Sequence, residues 1–130
     1  MGLDNGFIME IPRTEIPSFL NLPWDFPDSG DVEIAYWRKC WGVRELILSV
    51  LHPSKEGYEY IVESEDLNAI LNKLIDKCFN KEWWENEGDS IWTFEEALPR
   101  TIIDNIFNLK WAAAYMAAHP DVKMYFYDSY

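Results

Sequence analysis

Aromatic and basic side chains are interleaved in one short stretch of this chain, Tyr36-Trp37-Arg38-Lys39-Cys40-Trp41. An arginine set between tryptophans can stack on their rings or hold an anion against them. One hypothesis is therefore a pocket for an anion, a nucleotide or another aromatic ligand. The residues predicted to line this pocket are Tyr36, Trp37, Arg38 and Trp41. The alternative is that the basic residues pair with carboxylates of the same chain.

Tryptophans and acids are combined in a second cluster, between residues 81 and 90. Tryptophan is enriched among the residues that dominate binding energy at interfaces, and a Trp-Trp pair in a polar segment is hard to bury completely. The sequence therefore predicts a partner-binding surface here. Its residues are Glu82, Trp83, Trp84, Glu85, Glu87 and Asp89. The alternative is that the segment is a lid packed over the core.

The histidines and cysteines do not form a catalytic or metal-binding pattern. His52 and His119 each precede a proline at the end of a predicted helix, where a positive side chain is favoured as an end cap. Cys40 and Cys78 are far apart and have no neighbouring histidine, which does not suit zinc. The glycines do not form a turn that could hold a phosphate. We expect no enzyme activity, no metal and no cofactor.

The charge of the chain limits its partners. The 130 residues include 23 acidic and 11 basic residues, with a formal net charge of −12. Phosphate binding needs a positive field, so direct binding to nucleic acid is disfavoured. The negative charge either keeps an aromatic-rich chain in solution or presents an anionic face to a basic partner. A nucleic-acid groove on another protein would be such a partner.

Neither a membrane span nor an export signal is indicated. The apolar runs are shorter than the roughly 20 residues that a membrane helix needs. The segment Met1–Asn5 lacks the basic and apolar regions of a secretory signal. We expect a cytoplasmic protein that does not bind membranes.

The first thirty residues differ in composition from the rest of the chain. Four prolines, at positions 12, 17, 23 and 27, alternate with apolar residues. This density of proline excludes a continuous helix and favours extended or turn structure. We therefore predict an irregular proline-rich arm over residues 1–30 that packs on a single α+β domain over residues 31–130.

Hydrophobic periodicity predicts the elements of that domain. Three-four spacing predicts helices over about 32–51, 65–80 and 93–118, and alternation predicts strands over 58–62 and 122–127. A two-stranded sheet needs a helix against one face to be stable. The predicted fold is three helices packed on a small two-stranded antiparallel sheet.

Several of these segments together resemble a family of small uncharacterised proteins encoded by bacteriophages and prophages of gut bacteria. The resemblance covers roughly residues 31–130 and is carried first by Glu33-Ile34-Ala35-Tyr36-Trp37-Arg38-Lys39. It continues in Tyr58-x-Tyr60-x-Val62, in Ser64-x-Asp66-Leu67, in the acidic aromatic segment and in the aromatic end of the chain, Tyr125–Tyr130. The resemblance implies a phage or prophage origin and no particular activity.

These features favour a phage or prophage accessory protein that acts by binding another protein. An acidic, aromatic surface could occupy the basic groove of a host nucleic-acid-binding or defence protein and inhibit it. Two alternatives remain at this point. One is a binder of small anions or nucleotides, and the other is a structural or assembly protein that associates with itself.

Overall fold

The computed structural model describes residues 4–20, 22, 24–38, 40–51, 59–77, 80, 82–83 and 103–129. The strands in this part of the chain are β1 (Asp4–Pro12), β2 (Ser29–Arg38), β3 (Glu59–Val62) and β4 (Met124–Ser129). The helices are a short 3-10 helix (Arg13–Glu15), α1 (Trp41–Leu48), α2 (Ser64–Lys77) and α3 (Asp104–Ala118).

The described strands form one antiparallel sheet in the order β2-β1-β4-β3. The predicted two-stranded sheet is therefore wrong, although the chain is mixed α+β. The predicted pairing of residues 58–62 with 122–127 is present as β3 against β4, and the two additional strands come from the first 38 residues.

The predicted irregular arm contains a central strand of the sheet. β1 pairs with β2 on one side and with β4 on the other. Its only proline, Pro12, is its last residue, where a missing backbone donor does little harm. The other prolines lie in the connection between β1 and β2, so proline density marked that connection and not the strand before it.

A β-bulge breaks the alternating pattern of β2. Phe7 pairs with Ala35 but the next residue, Ile8, pairs with Glu33, which leaves Ile34 as an extra residue. Ile34 and Ala35 are consequently both buried. The bulge therefore interrupts the strict alternation of buried and exposed residues that is typical of a strand. The predicted helix over 32–51 is wrong because its first half is strand, and α1 begins only at Trp41.

The helices pack on one face of the sheet. β1 contributes Phe7, Met9 and Ile11 to the core, and α2 contributes Leu67, Ile70, Leu71 and Leu74. The apolar face predicted for α2 is confirmed at those four positions, while Ile75 is exposed. α3 ends at Ala118, as the sequence predicted, and the predicted start of this helix near residue 93 lies outside the described residues.

The outer edge of β2 is covered by α3. The side chain of Asn105 accepts a hydrogen bond from the Tyr36 backbone amide at 3.3 Å and donates one to the Tyr36 carbonyl at 2.8 Å. The Asn105 carboxamide thus pairs with the Tyr36 amide and carbonyl in the way that the backbone of a further strand would. The contact protects an edge that could otherwise pair with another chain.

The connection between β1 and β2 is fastened at both ends. The Arg13 guanidinium donates to the Phe26 carbonyl and, at 3.3 Å, to the Trp24 carbonyl. Farther along, Glu15 accepts a hydrogen bond from the Tyr115 hydroxyl at 2.8 Å. The connection is therefore held by hydrogen bonds within itself and by one to α3. Two of its apolar side chains, Leu20 and Phe26, are part of the core.

Candidate functional site

One face of the sheet is turned away from the described helices. Side chains alternate between the two faces of a strand, so the residues opposite the core can be read from the register. We call them the outer face. Residues of this face whose side chains the structure describes are Asp4, Gly6, Ile8 and Glu10 of β1, Asp31, Glu33 and Tyr36 of β2, Ile61 of β3, and Tyr125, Tyr127 and Ser129 of β4. The register also places Arg38 on this face, opposite Asp4, and Glu59, opposite Tyr127.

The outer face combines negative charge with accessible apolar and aromatic groups. Four of the residues with described side chains are carboxylates, and Glu59 and Arg38 add one acidic and one basic residue at register positions of the same face. Ile61 is 61% exposed and Tyr36 is 38% exposed. Solvent-facing sheet surfaces are usually polar, so the exposed isoleucine and tyrosine distinguish this face, and tyrosine is enriched at protein interfaces.

Two tyrosines on this face are held by carboxylates. The Tyr36 hydroxyl donates to Asp4 Oδ1, and the Tyr127 hydroxyl donates to Glu33 Oε2 at 2.8 Å. Since Tyr127 belongs to β4 and Glu33 to β2, the Tyr127 side chain crosses over β1. Gly6 lies directly beneath it, because a Cβ at Gly6 would be 2.7 Å from Tyr127 Cε1. The absence of a side chain at Gly6 therefore permits the ring to reach Glu33.

Burial and the hydrogen bond to Glu33 keep the Tyr127 hydroxyl protonated at neutral pH. Burial raises the pKa of the Tyr127 hydroxyl, and the hydrogen bond and negative charge of Glu33 raise it further. The outer face thus presents neutral, oriented rings beside negative charges. Such an ordered surface loses little side-chain entropy when it binds a partner.

A similar pair fastens α3 to the 3-10 helix. Burial, together with Glu15, raises the pKa of Tyr115 to about 12. His119 stacks on the Tyr115 ring at 4.1 Å, and its Nδ1 donates to the Tyr115 carbonyl at 3.0 Å. The prediction that His119 caps a helix end is confirmed.

The two tyrosine–carboxylate pairs predict a loss of stability at alkaline pH. Above the ordinary tyrosine pKa of 10, the unfolded chain releases protons that folded Tyr115 and Tyr127 retain. The stabilisation is complete below pH 10 and declines as pH rises toward the folded pKa values. Urea unfolding between about pH 8 and pH 11 should show this decline. The variant with Tyr115→Phe and Tyr127→Phe should show a shallower decline, and equal slopes for both proteins would contradict the assignment.

Two of the four residues predicted to line a small-ligand pocket face opposite sides of the sheet. Tyr36 points to the outer face, whereas Trp37 points into the core and is 1% exposed. Consecutive residues of a strand face opposite sides, so these two rings cannot line one pocket. Arg38 ends β2 and Trp41 begins α1, and their side chains lie outside what the structure describes.

Most of the predicted acidic aromatic surface lies outside the described residues. Trp84, Glu85, Glu87 and Asp89 belong to that part, so this surface stays a prediction. Glu82 is exposed, as the prediction requires. Trp83 is half-buried against the core and lines a cleft of about 380 Å³ between α1 and α2.

A buried polar cluster at one end of the sheet was not anticipated from the sequence. Asp128 accepts a hydrogen bond from Asn5 Nδ2 at 2.6 Å. The single N–H of Arg44 Nε is shared between the two Asp128 oxygens, at 2.8 Å from Oδ1 and 3.0 Å from Oδ2. Asn5 and Asp128 are both buried. The ion pair between Arg44 and Asp128 joins α1 to β4 on the core side of the sheet. It therefore stabilises the fold and does not belong to the outer face.

Metal binding and membrane insertion receive no support from the described residues. Among them, no group of three or more His, Cys, Asp or Glu side chains could hold a metal ion. None of the helices within the described ranges has both the length and the apolar character needed to cross a bilayer.

The outer face is therefore the surface on which a functional interpretation rests. Its elements are fixed by long-range strand pairing, its rings by hydrogen bonds, and its charge by four carboxylates. Comparisons of the chain with protein-family models, with curated proteins and with solved structures found no significant match.

Proposed function

We propose that this chain is a phage- or prophage-encoded accessory protein that uses the outer face to bind a basic host protein. The observation that carries the proposal is the combination on one sheet surface of exposed aromatic and apolar side chains with four carboxylates. The phage origin depends on the resemblance carried by residues 33–39 and by the later segments. Nothing found in the described residues indicates enzyme activity.

Charge complementarity selects the class of partner. A surface that carries Asp4, Glu10, Asp31 and Glu33 repels acidic proteins and attracts basic ones, which accelerates encounter and suppresses wrong pairings. The chain as a whole adds to this field with its net charge of −12. A host protein whose groove binds nucleic acid has the required positive surface, and occupation of that groove would inhibit it.

Aromatic side chains are expected to contribute most of the binding energy of the proposed interface. Tyrosine has a large contact area and few rotatable bonds, so it loses little entropy on binding. Tyr36 and Tyr127 are restrained further by their carboxylate partners. Ile61 extends the apolar area toward the β3 edge of the sheet.

The proposal can be tested by affinity capture with matched baits. The baits are wild-type protein, a face variant (Glu10→Lys with Glu33→Lys) and a helix-side control (Glu45→Lys with Asp76→Lys). Both variants change the net charge equally, and all four positions are exposed. A basic host protein should be retained by wild type and control, be lost from the face variant, and rebind wild type when purified. Partners that are retained equally by all three baits would contradict the proposal.

A further inference from the structure

A small cleft lies beside the outer face, where the edge of β2 meets α3. Its volume is about 240 Å³, smaller than the roughly 300–1,000 Å³ of pockets that enclose whole ligands. The cleft can therefore hold one side chain of a partner. The described residues that line it are Phe19, Leu20, Glu33, Ile34, Ala35, Tyr36, Asn105 and Asn108.

The cleft has an apolar floor and a polar, aromatic rim. Leu20, Ile34 and Ala35 are buried and form the floor. On the rim, the side chains of Phe19 and Tyr36 are 43% and 38% exposed. A side chain that enters the cleft would therefore meet aromatic rings before it reaches the floor.

Glu33 is the only charged side chain among the described lining residues. One of its oxygens, Oε2, accepts the Tyr127 hydroxyl, which holds the carboxylate in place. A carboxylate has about four lone-pair sites, so acceptor capacity remains for a second donor. Nearby, the Asn105 carboxamide is fixed by its two hydrogen bonds to the Tyr36 backbone. The cleft thus has a positioned negative charge and a rigid wall.

We propose that this cleft receives an arginine side chain of the basic partner, an inference that rests on the proposed function of the outer face. A guanidinium is planar and weakly hydrated, so it can stack on the Phe19 or Tyr36 ring while it donates to Glu33. Its aliphatic stem suits the apolar floor. A lysine ammonium is more strongly hydrated and lacks the planar fork, so the cleft favours arginine over lysine.

The experiment uses blocked amino acids as probes of the isolated protein. Nα-acetyl-arginine amide is titrated into labelled protein while the NMR signals of Asn105, Asn108 and the aromatic rings are followed. The neutral isostere Nα-acetyl-citrulline amide and blocked lysine are the comparisons. Arginine should bind in the millimolar range and at least fivefold more tightly than citrulline, with the largest shifts at the cleft.

Two variants assign the binding to Glu33. Glu33→Gln removes the charge but can still accept the Tyr127 hydroxyl, so it should fold and should lose about fivefold to tenfold in arginine affinity. Glu45→Gln removes an exposed charge on α1, outside both the cleft and the outer face, and should leave the affinity unchanged. Equal binding of arginine and citrulline, or equal losses in both variants, would overturn the inference. The proposed function would survive that result, because the affinity capture with the face variant tests it separately.

Discussion

Replacement of Asp128 by asparagine should lower the free energy of unfolding by about 3 kcal/mol, the lower end of the range for breaking a buried ion pair. The new carboxamide would keep the shape of the side chain and could still accept the Asn5 amide. It could not balance the charge of Arg44, whose side chain is only 20% exposed. Urea unfolding at neutral pH measures the loss.

Removal of the unbalanced charge provides the control. Arg44→Met in the Asp128→Asn background leaves no unbalanced ion, so at least half of the lost stability should return. A single variant that loses less than about 1 kcal/mol would contradict the proposed anchor. A double variant less stable than the single one would show that Arg44 acts through contacts other than this pair.

Replacement of Gly6 by alanine should destabilise the protein by about 3 kcal/mol, the upper end of the usual range for overpacking. The new Cβ would lie 2.7 Å from Tyr127 Cε1 and 2.8 Å from the Ala35 carbonyl oxygen. The ring could move away, but the backbone of β2 could not move without distorting the central pairing. Movement of the ring would also separate Tyr127 from Glu33 and disturb the outer face.

Gly30 is the matched control for Gly6. It also lies in the pairing of β1 with β2, yet a Cβ there would be 3.3 Å from the nearest atoms, which belong to the side chains of Phe26 and Pro27 and not to the backbone. Gly30→Ala should therefore change stability by less than about 1 kcal/mol. Chemical unfolding of both variants measures the difference, and equal stability of the two would refute the assigned role of Gly6.

Local sequence patterns were sufficient to predict part of this fold. α2 was predicted from a regular three-four spacing of leucines and isoleucines, and β3 and β4 from alternation of aromatic and β-branched residues. β2 was missed because the bulge at Ile34 changes its period. β1 was missed because its neighbours in the chain are rich in proline, although Pro12 is the only proline in the strand.

The candidate site depends on pairings that no local pattern reports. Tyr36 was singled out from the sequence, but its neighbour Trp37 proved to face the core. Tyr127 and Glu33 meet across 94 residues of sequence, and Asn5 and Asp128 across 123. These partners come together only through the order β2-β1-β4, which was not predicted because two of its three strands were missed.

The most direct test of the outer-face proposal is hydroxyl-radical footprinting of the protein with and without its captured partner. Four side chains of comparable exposure serve as reporters: Tyr36 and Ile61 on the outer face, and Ile75 and Phe107 on the helices, with exposures of 38%, 61%, 41% and 57%. Binding should reduce oxidation of Tyr36 and Ile61 severalfold and leave Ile75 and Phe107 unchanged. Protection of the helix reporters with no change at Tyr36 and Ile61 would place the partner on the opposite side and contradict the proposed function.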